Sequence, residues 1–174
     1  HSLNALLDAD IRVLELGETR PDFHCRYDAT GKEYRYFVWN GAVVPPFIRL
    51  YRLRESRPMD EAAMQAAADR LVGRHDFLAF SANPKREVDG TVRTVSELAV
   101  ARDGDEICIR ARGDGFLYKM VRSLAGFLVR VGRGEVSPDF ATEVLASRLR
   151  TARVPTAPAL GLFLWEVFYE DSTA

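Results

Sequence analysis

The chain has 174 residues, 47% of them hydrophobic and 28% charged, and its 24 basic and 25 acidic side chains leave a net charge of -1. This composition excludes the collagen-like, disordered and disulfide-scaffold classes, and the chain is long enough to bury a core, so we expect one domain spanning residues 1–174. The longest apolar runs are far shorter than the roughly 20 residues of a membrane helix, so no membrane association is expected.

Strands and one helix are predicted in the N-terminal half. Runs rich in β-branched and aromatic residues predict strands at 11–16, 33–39 and 49–54. Residues 28–31 supply turn chemistry before the second of these, and the Pro45-Pro46 pair breaks regular structure before the third. Pro58 at a first helical position and Gly73 as a stop predict an alanine-rich helix between them.

A hairpin follows. Asp103-Gly104 separates two strand-like runs, 92–101 and 106–112, which is a strong hairpin signal. In the second run one face is apolar and the other carries two arginines. The apolar side chains are Ile107, Ile109 and Ala111, and the basic ones are Arg110 and Arg112.

Two helices and a final strand complete the chain. Apolar residues at helical spacing predict a helix over 116–131, closed by Gly132 and Gly134. Ser137 as N-cap, followed by Pro138 at the first helical position, predicts another helix. Residues 161–169 then predict a terminal strand. Strands interleaved with helices indicate an α+β fold, with a mixed, largely antiparallel sheet and helices packed on one face.

The basic residues are distributed unevenly. Residues 20–57 contain 8 basic and 4 acidic side chains, and residues 107–133 contain 6 basic and 1 acidic. If both segments fold onto one face, that face is cationic and suits an anionic polymer. Of the 24 basic residues 21 are arginine, which binds phosphate bidentately and stacks on bases. A genome biased toward arginine codons explains the composition equally well.

The sequence offers no metal or cofactor site. Cys25 and Cys108 stand alone, without the spacing of a zinc or redox motif, and there are only three histidines. No phosphate-binding glycine motif implies a nucleotide cofactor. Unpaired cysteines are typical of cytoplasmic proteins, so we expect a cytoplasmic location.

Tyr34 and Tyr36 lie two apart on a predicted strand and therefore share a face. Such pairs usually belong to the core or to a half-buried sheet surface. Here Arg26, Lys32 and Arg35 lie close by, and aromatics interleaved with cations also form the stacking platforms of nucleic-acid-binding proteins. The pattern leaves both interpretations open and makes Arg26 a candidate substrate-binding residue.

Arg122 lies outside the apolar arc of the helix predicted over 116–131. Periodicity alone favours a solvated charge. The alternative is that a second, weaker face of this helix borders a cleft, where Arg122 holds a carboxylate or phosphate through a charge-assisted pair.

In chain order, the sequence resembles the tRNA pseudouridine synthase A family. The matching segments are residues 23–27, 32–36, 75–80, 93–95, 115–122, 131–134 and 155–164. They span nearly the whole chain, and their order makes the resemblance specific. It implies the C-terminal part of a pseudouridine synthase fold, acting as a homodimer without cofactor or metal. The implied reaction converts uridine to pseudouridine in the tRNA anticodon stem-loop.

The resemblance also assigns roles to individual residues. Tyr34 matches the active-site tyrosine that stacks on the flipped uracil and is a candidate for the proton transfer at C5. Arg122 matches the arginine that pairs with the catalytic aspartate. Leu162 and Leu164 match the apolar strand near the base pocket, and which of them faces the base stays open. Ser123 stands where the family commonly has asparagine.

The catalytic aspartate of the family lies in a G-R-T-D-x-G-V-H-A segment that these 174 residues do not contain. Residues 1–7 resemble the stretch that follows that segment, so we expect this chain to correspond to the family protein without its N-terminal portion. The 174 residues alone are then expected to bind RNA without catalysis. The other functions considered are a non-catalytic RNA-binding module and a protein-interaction domain with a solvated, arginine-rich face.

Overall fold

The computed structural model describes residues 2–83 and 90–170, which form a six-stranded sheet packed against helices. The strands are β1 (Ala29–Trp39), β2 (Leu53–Arg54), β3 (Gly73–Asp76), β4 (Val92–Asp103), β5 (Glu106–Gly113) and β6 (Leu162–Tyr169). The helices are α1 (Ser2–Leu6), α2 (Glu61–Asp69), α3 (Met120–Gly132) and α4 (Phe140–Ser147).

Strand β1 occupies the middle of the sheet. On one side it pairs with β5, which continues to β4 and β3; on the other side it pairs with β6 and, at its C-terminal end, with β2. Among the strand pairs of the described residues, only β1 with β2 is parallel. This confirms the predicted α+β class with a mixed, largely antiparallel sheet.

The core lies between one face of the sheet and the helices. The predicted alternation in β5 is confirmed, since Ile107, Ile109 and Ala111 are at most 1% exposed. Helix α3 packs on this face, and every residue in it is buried except Arg122 and Arg130. Burial on all sides of a helix is typical of a central core element, so these two cations mark the places where α3 leaves the core.

The predicted strand over 11–16 is wrong. This segment has no regular structure, and Leu14 is 96% exposed. The side chain of Asn4 takes the place of a partner strand, because its amide nitrogen donates to the carbonyl of Val13 and its amide oxygen accepts from the Val13 N–H, each at 2.8 Å. Local β propensity does not produce a strand where no neighbouring strand or core is available.

Several predicted boundaries also move. Only Leu53–Arg54 of the strand predicted over 49–54 pairs with β1, because the residues before it form turns. Helix α2 begins at Glu61, three residues after Pro58, the predicted first helical position. Its N-cap is Asp60, whose side chain accepts a hydrogen bond from the Ala63 N–H at 2.9 Å. Gly73, at φ +114°, begins β3 instead of ending the helix.

The two C-terminal helices begin later than predicted. Residues 116–117 have no regular structure, residues 118–119 form a turn in which Lys119 has a left-handed φ of 58°, and α3 starts at Met120. A turn at 138–139 precedes α4 in the same way, which makes Asp139 the N-cap in place of Ser137. Strand β1 starts at Ala29, inside the predicted turn.

Candidate active site

Tyr36 is a core residue. Its side chain is fully buried, and its hydroxyl donates to the carbonyl oxygen of Pro158 at 2.9 Å. Burial raises the pKa of Tyr36 to about 12, although the nearby charge of Arg122 acts in the opposite direction. A Cβ atom on Gly161 would lie 3.0 Å from Cζ of this ring, so the segment before β6 packs directly against it. Tyr36 therefore joins β1 to that segment.

Tyr34 shares the face of Tyr36 but has different surroundings. Its half-buried ring packs edge-to-face against Phe116, with ring centroids 5.4 Å apart and planes at 86°. Within the part of the chain that the structure describes, its hydroxyl makes no hydrogen bond. Burial raises the pKa of Tyr34, so the phenol is protonated at neutral pH. The hydroxyl is available to a ligand.

The ring of Tyr34 forms one wall of a small pocket between β1, β6 and the start of α3. The pocket has a volume of about 100 Å³, and Phe116, Arg122 and Leu162 contribute to its other walls. This volume is well below the ~300–1,000 Å³ of pockets that enclose drug-sized ligands. It therefore suits one flat ring better than a whole nucleotide.

Arg122 supplies the positive charge of this pocket. Its Nε donates to the carbonyl oxygen of Ala157 at 2.7 Å, which fixes the guanidinium from one side. No carboxylate among the described residues lies within ion-pair distance of it. Arg122 is thus held in place while its charge is left without a counterion from residues 2–83 and 90–170.

The N-terminus of α3 adds to this positive potential. Its first turn contains no acidic residue, and Lys119 immediately precedes it. The positive end of the helix dipole lies here, so cations at this end are electrostatically unfavourable. Such an arrangement stabilises a bound carboxylate or phosphate. Arg122 lines a pocket, as the cleft interpretation expects, and a bound carboxylate or phosphate there stays a prediction.

Arg150 is a supporting residue that the sequence did not indicate. Its guanidinium donates to the Ser81 carbonyl at 3.1 Å, to Oγ of Ser123 at 3.0 Å and to Oγ1 of Thr156 at 2.7 Å. Burial lowers the pKa of this arginine. It clamps α3 to the segment that carries Ala157 and so supports Arg122. Because it lies in a loop with no periodic pattern, no sequence signal points to it.

The same contacts explain the position of Ser123. This side chain is fully buried and bonds to Arg150 rather than facing the pocket. The residue that departs from the family pattern therefore belongs to the support of the site, not to its surface.

The other predicted site residues lie at different distances from the pocket. Leu162 lines it, whereas Leu164, the partner of Tyr34 across β1 and β6, is 54% exposed and lies outside the lining. Arg26 is in the turn before β1, with its guanidinium 5.9 Å from the ring centroid of Tyr27. The structure thus brings together Tyr34, Arg122 and Leu162. A substrate contact for Arg26 or Leu164 stays a prediction.

Two aspartates near these elements have other partners. Asp28 accepts from the His24 N–H at 2.8 Å and pairs with Arg20, and Asp114 accepts from the Thr94 N–H at 2.9 Å. Neither lines the Tyr34 pocket. Residues 2–83 and 90–170 contain no cluster of three or more histidine, cysteine or acidic side chains placed to hold a metal ion. No helix within these ranges is long and apolar enough to cross a membrane.

Comparison with known proteins identifies relatives of this chain. A family profile described as tRNA pseudouridine synthase matches residues 67–170. The chain is 46% identical over 161 residues to tRNA pseudouridine synthase A of Halalkalibacterium halodurans, an alignment that covers 92% of this chain and 61% of that protein. It is 42% identical over 171 residues to tRNA pseudouridine synthase A of Bacillus subtilis, covering 98% of this chain and 69% of the relative. The chain therefore spans between 61% and 69% of the length of these two relatives.

Proposed function

This chain belongs to the tRNA pseudouridine synthase family, and from that premise we propose that the Tyr34 pocket holds the uracil base during its isomerisation in tRNA. The observation that carries the proposal is the pairing, in one small pocket, of a half-buried aromatic ring with an arginine that has no counterion among the described residues.

The Tyr34 ring binds the base. An enzyme that changes a base must take it out of the helical stack, and aromatic or apolar side chains then replace the lost stacking. Tyr34, steadied by Phe116, offers such a surface, and Leu162 supplies an apolar wall. Stacking of this kind contributes about 1–3 kcal/mol per base. The small volume of the pocket accommodates the base while leaving the ribose and phosphate outside.

Arg122 binds the catalytic carboxylate. The family resemblance implies an aspartate nucleophile, and these 174 residues contain no segment that matches it. In the natural protein, that carboxylate would face the guanidinium of Arg122. An adjacent cation lowers the pKa of a carboxyl group, so the aspartate stays ionised and nucleophilic at neutral pH. The bond from Arg122 Nε to Ala157 sets the direction from which the carboxylate is held.

The reaction is an isomerisation and needs no external oxidant or reductant. The aspartate adds to the substrate, the bond between C1′ and N1 breaks, the base turns, a bond forms between C1′ and C5, and the bond to the aspartate breaks, which restores the free carboxylate. The proton on C5 is then removed, and N1 gains a proton. We assign the C5 proton transfer to Tyr34: its oxygen accepts this proton while its own hydroxyl proton passes through solvent to N1.

Cations without a carboxylate partner among the described residues supply the attraction for tRNA. They include Lys32 on β1, Arg112 at the end of β5 and Lys119 before α3. Lys32 and Arg112 lie near the end of the sheet where β1 begins, and Lys119 lines the Tyr34 pocket. Such charges bind the RNA backbone without reading its sequence. We extend the proposal to the anticodon stem-loop as the substrate and to a homodimer as the active form.

Comparison of two proteins tests the proposal. The natural protein that contains this chain should release tritium from tRNA labelled at C5 of uracil, and the 174-residue chain alone should bind tRNA without releasing any. Turnover by the 174 residues alone would mean that one of their own carboxylates, such as Asp28 or Asp114, is the nucleophile. A natural protein that binds tRNA but never releases tritium would instead be a non-catalytic RNA-binding module.

A further inference from the structure

A second pocket opens near the Tyr34 pocket, on the other face of the sheet. It has a volume of about 370 Å³, and its lining includes Gly31, Thr94, Arg112 and Phe168. Arg112 on β5 lies opposite Glu33 on β1 in the strand register, so both side chains point to the same face of the sheet. Glu33 is adjacent to Tyr34 in the chain and therefore points to the other face, so the two pockets open on opposite sides of the sheet. Gly31 is three residues from Tyr34 along β1, a distance of about 10 Å.

Arg112 is held by an aromatic ring instead of by an acid. Its guanidinium carbon lies 4.0 Å from the ring centroid of Phe168. Its partners in register are Glu33 on β1 and Glu97 on β4, and both carboxylates pair with other arginines: Glu33 with Arg35, and Glu97 with Arg110. Within residues 2–83 and 90–170, no carboxylate lies at ion-pair distance from Arg112.

The stacked geometry leaves the N–H groups of Arg112 accessible. Stacking uses the face of the guanidinium, while its donors lie in the plane and suit two oxygens of one phosphate. Thr30, Thr94 and Ser96 also line the pocket, and none of their hydroxyls makes a hydrogen bond to another described residue. One cation and three hydroxyls match the groups that proteins use to hold a phosphodiester.

A short segment connects this pocket to the site of the base. Residues 113–116 run from its lining to Phe116, which packs against Tyr34. A Cβ atom on Gly113 would lie 2.4 Å from the Thr94 carbonyl oxygen and 3.4 Å from Cζ of Phe116, so the connection is tightly packed. Asp114 lines the same pocket, but it already accepts from the Thr94 N–H.

We propose that the Arg112 pocket binds a backbone phosphate of the RNA strand beside the nucleotide whose base enters the Tyr34 pocket. This inference rests on the proposed function, since it takes the RNA to be the ligand. The strand passes around the end of the sheet from one face to the other, and the phosphate contact fixes its register relative to Tyr34.

Arg112→Gln and Arg110→Gln in the natural protein form a matched pair. Both replacements remove one positive charge from the same face of β5, but only Arg110 is paired with a carboxylate. Affinity for tRNA is measured over a range of salt concentrations. Arg112→Gln should weaken binding about tenfold and lower the slope of log K against log salt by about 1. Arg110→Gln should keep the wild-type slope.

Two further measurements test whether the charge of Arg112, its planar guanidinium and a phosphate ligand account for the loss of tRNA affinity. Arg112→Lys should restore the slope, because the charge returns, but only part of the affinity, because the planar fork does not. Inorganic phosphate, compared with chloride at equal ionic strength, should compete with tRNA for the wild type more strongly than for Arg112→Gln. Thermal melts of all variants check that they fold.

The phosphate site would be overturned if Arg112→Gln and the wild type showed the same slope of log K against log salt. It would also be overturned if Arg112→Gln and Arg110→Gln lost the same affinity for tRNA. Either result, combined with normal tritium release by the wild type, would leave the proposed function intact. A wild type that neither binds nor modifies tRNA would overturn the function and, with it, this site.

Discussion

Arg122 and Ala157 are joined by two hydrogen bonds that run in opposite directions. Nε of Arg122 donates to the Ala157 carbonyl at 2.7 Å, and the Ala157 N–H donates to the Arg122 carbonyl at 3.0 Å. The first bond orients the guanidinium, and the second fixes the loop to α3. The position of the charge in the Tyr34 pocket therefore depends on a segment 35 residues away in the chain.

Replacing Arg122 tests its role toward the catalytic carboxylate. In the natural protein, Arg122→Gln should lower single-turnover rates by about 10²–10³-fold, the usual cost of one preorganised electrostatic contact. Removal of the cation raises the pKa of the neighbouring carboxyl group, so the acid limb of the pH–rate profile should move to higher pH. Binding of tRNA, measured in parallel, should change much less. An unshifted acid limb would show that Arg122 does not face the nucleophile.

The two tyrosines should respond differently to loss of the hydroxyl. Tyr34→Phe keeps the ring and should bind tRNA normally, but if Tyr34 transfers a proton its turnover should fall by about 10²–10⁴-fold. Tyr34→Leu should also lose stacking worth about 1–3 kcal/mol per base. Single-turnover rates and tRNA affinities measure both effects, and equal rates for Tyr34→Phe and the wild type would remove the proton-transfer role.

Tyr36→Phe provides the matched control. It removes the hydrogen bond from the Tyr36 hydroxyl to the Pro158 carbonyl, so the free energy of unfolding should fall by about 0.5–1.5 kcal/mol. The rate of the folded protein should be almost unchanged, because Tyr36 does not line the pocket. A folded Tyr36→Phe variant without activity would show that the catalytic tyrosine is Tyr36 and not Tyr34.

Arg150 should matter for stability more than its position in a loop suggests. Arg150→Met removes three hydrogen bonds from the guanidinium, one to Ser123 in α3 and one each to the segments of Ser81 and Thr156, and should cost about 2–4 kcal/mol. Arg148→Met serves as control, because its side chain is 66% exposed and its single ion pair with Asp76 should contribute less than about 1 kcal/mol. Urea unfolding of both variants measures the difference. Equal losses would mean that the Arg150 clamp is not a stabilising contact.

The carboxyl group of Glu55 should make the free energy of unfolding depend on pH in the acid range. Burial acts to raise the pKa of this carboxyl group, but the Arg57 N–H and the guanidinium of Arg133 together hold it below its ordinary value of 4.5. A carboxyl pKa that is lower in the folded state adds stability above the unfolded value, and this stability is lost as the pH falls through the folded value. The free energy of unfolding should therefore decline below a pH of about 4.5.

Glu55→Gln should make that decline shallower, since the titrating group is gone. At neutral pH the variant should also be less stable than the wild type, because Arg133 loses its buried partner. Chemical unfolding at a series of pH values measures both effects. Identical pH dependence in the two proteins would assign the acid transition to other carboxylates.

Local pattern was sufficient for much of the fold. The hairpin of β4 and β5, the apolar face of Ile107 and Ile109 and the helix near 120–132 depend on the spacing of neighbouring residues, which the sequence displays directly. The same spacing placed Tyr34 and Tyr36 on one face of β1. Where a segment lacked a partner, as at 11–16, the same reasoning predicted a strand that does not form.

Tertiary contacts decided the roles of individual residues within those patterns. Tyr34 and Tyr36 are equivalent by periodicity. They differ because the hydroxyl of Tyr36 donates to the Pro158 carbonyl, whereas the ring of Tyr34 packs against Phe116. Arg110 and Arg112 are equivalent on β5, and they differ because one meets Glu97 while the other meets Phe168. In each pair the deciding partner comes from another strand or loop. Alternation along a strand determines which side a residue faces, but only the packed chain determines which charge or ring it finds there.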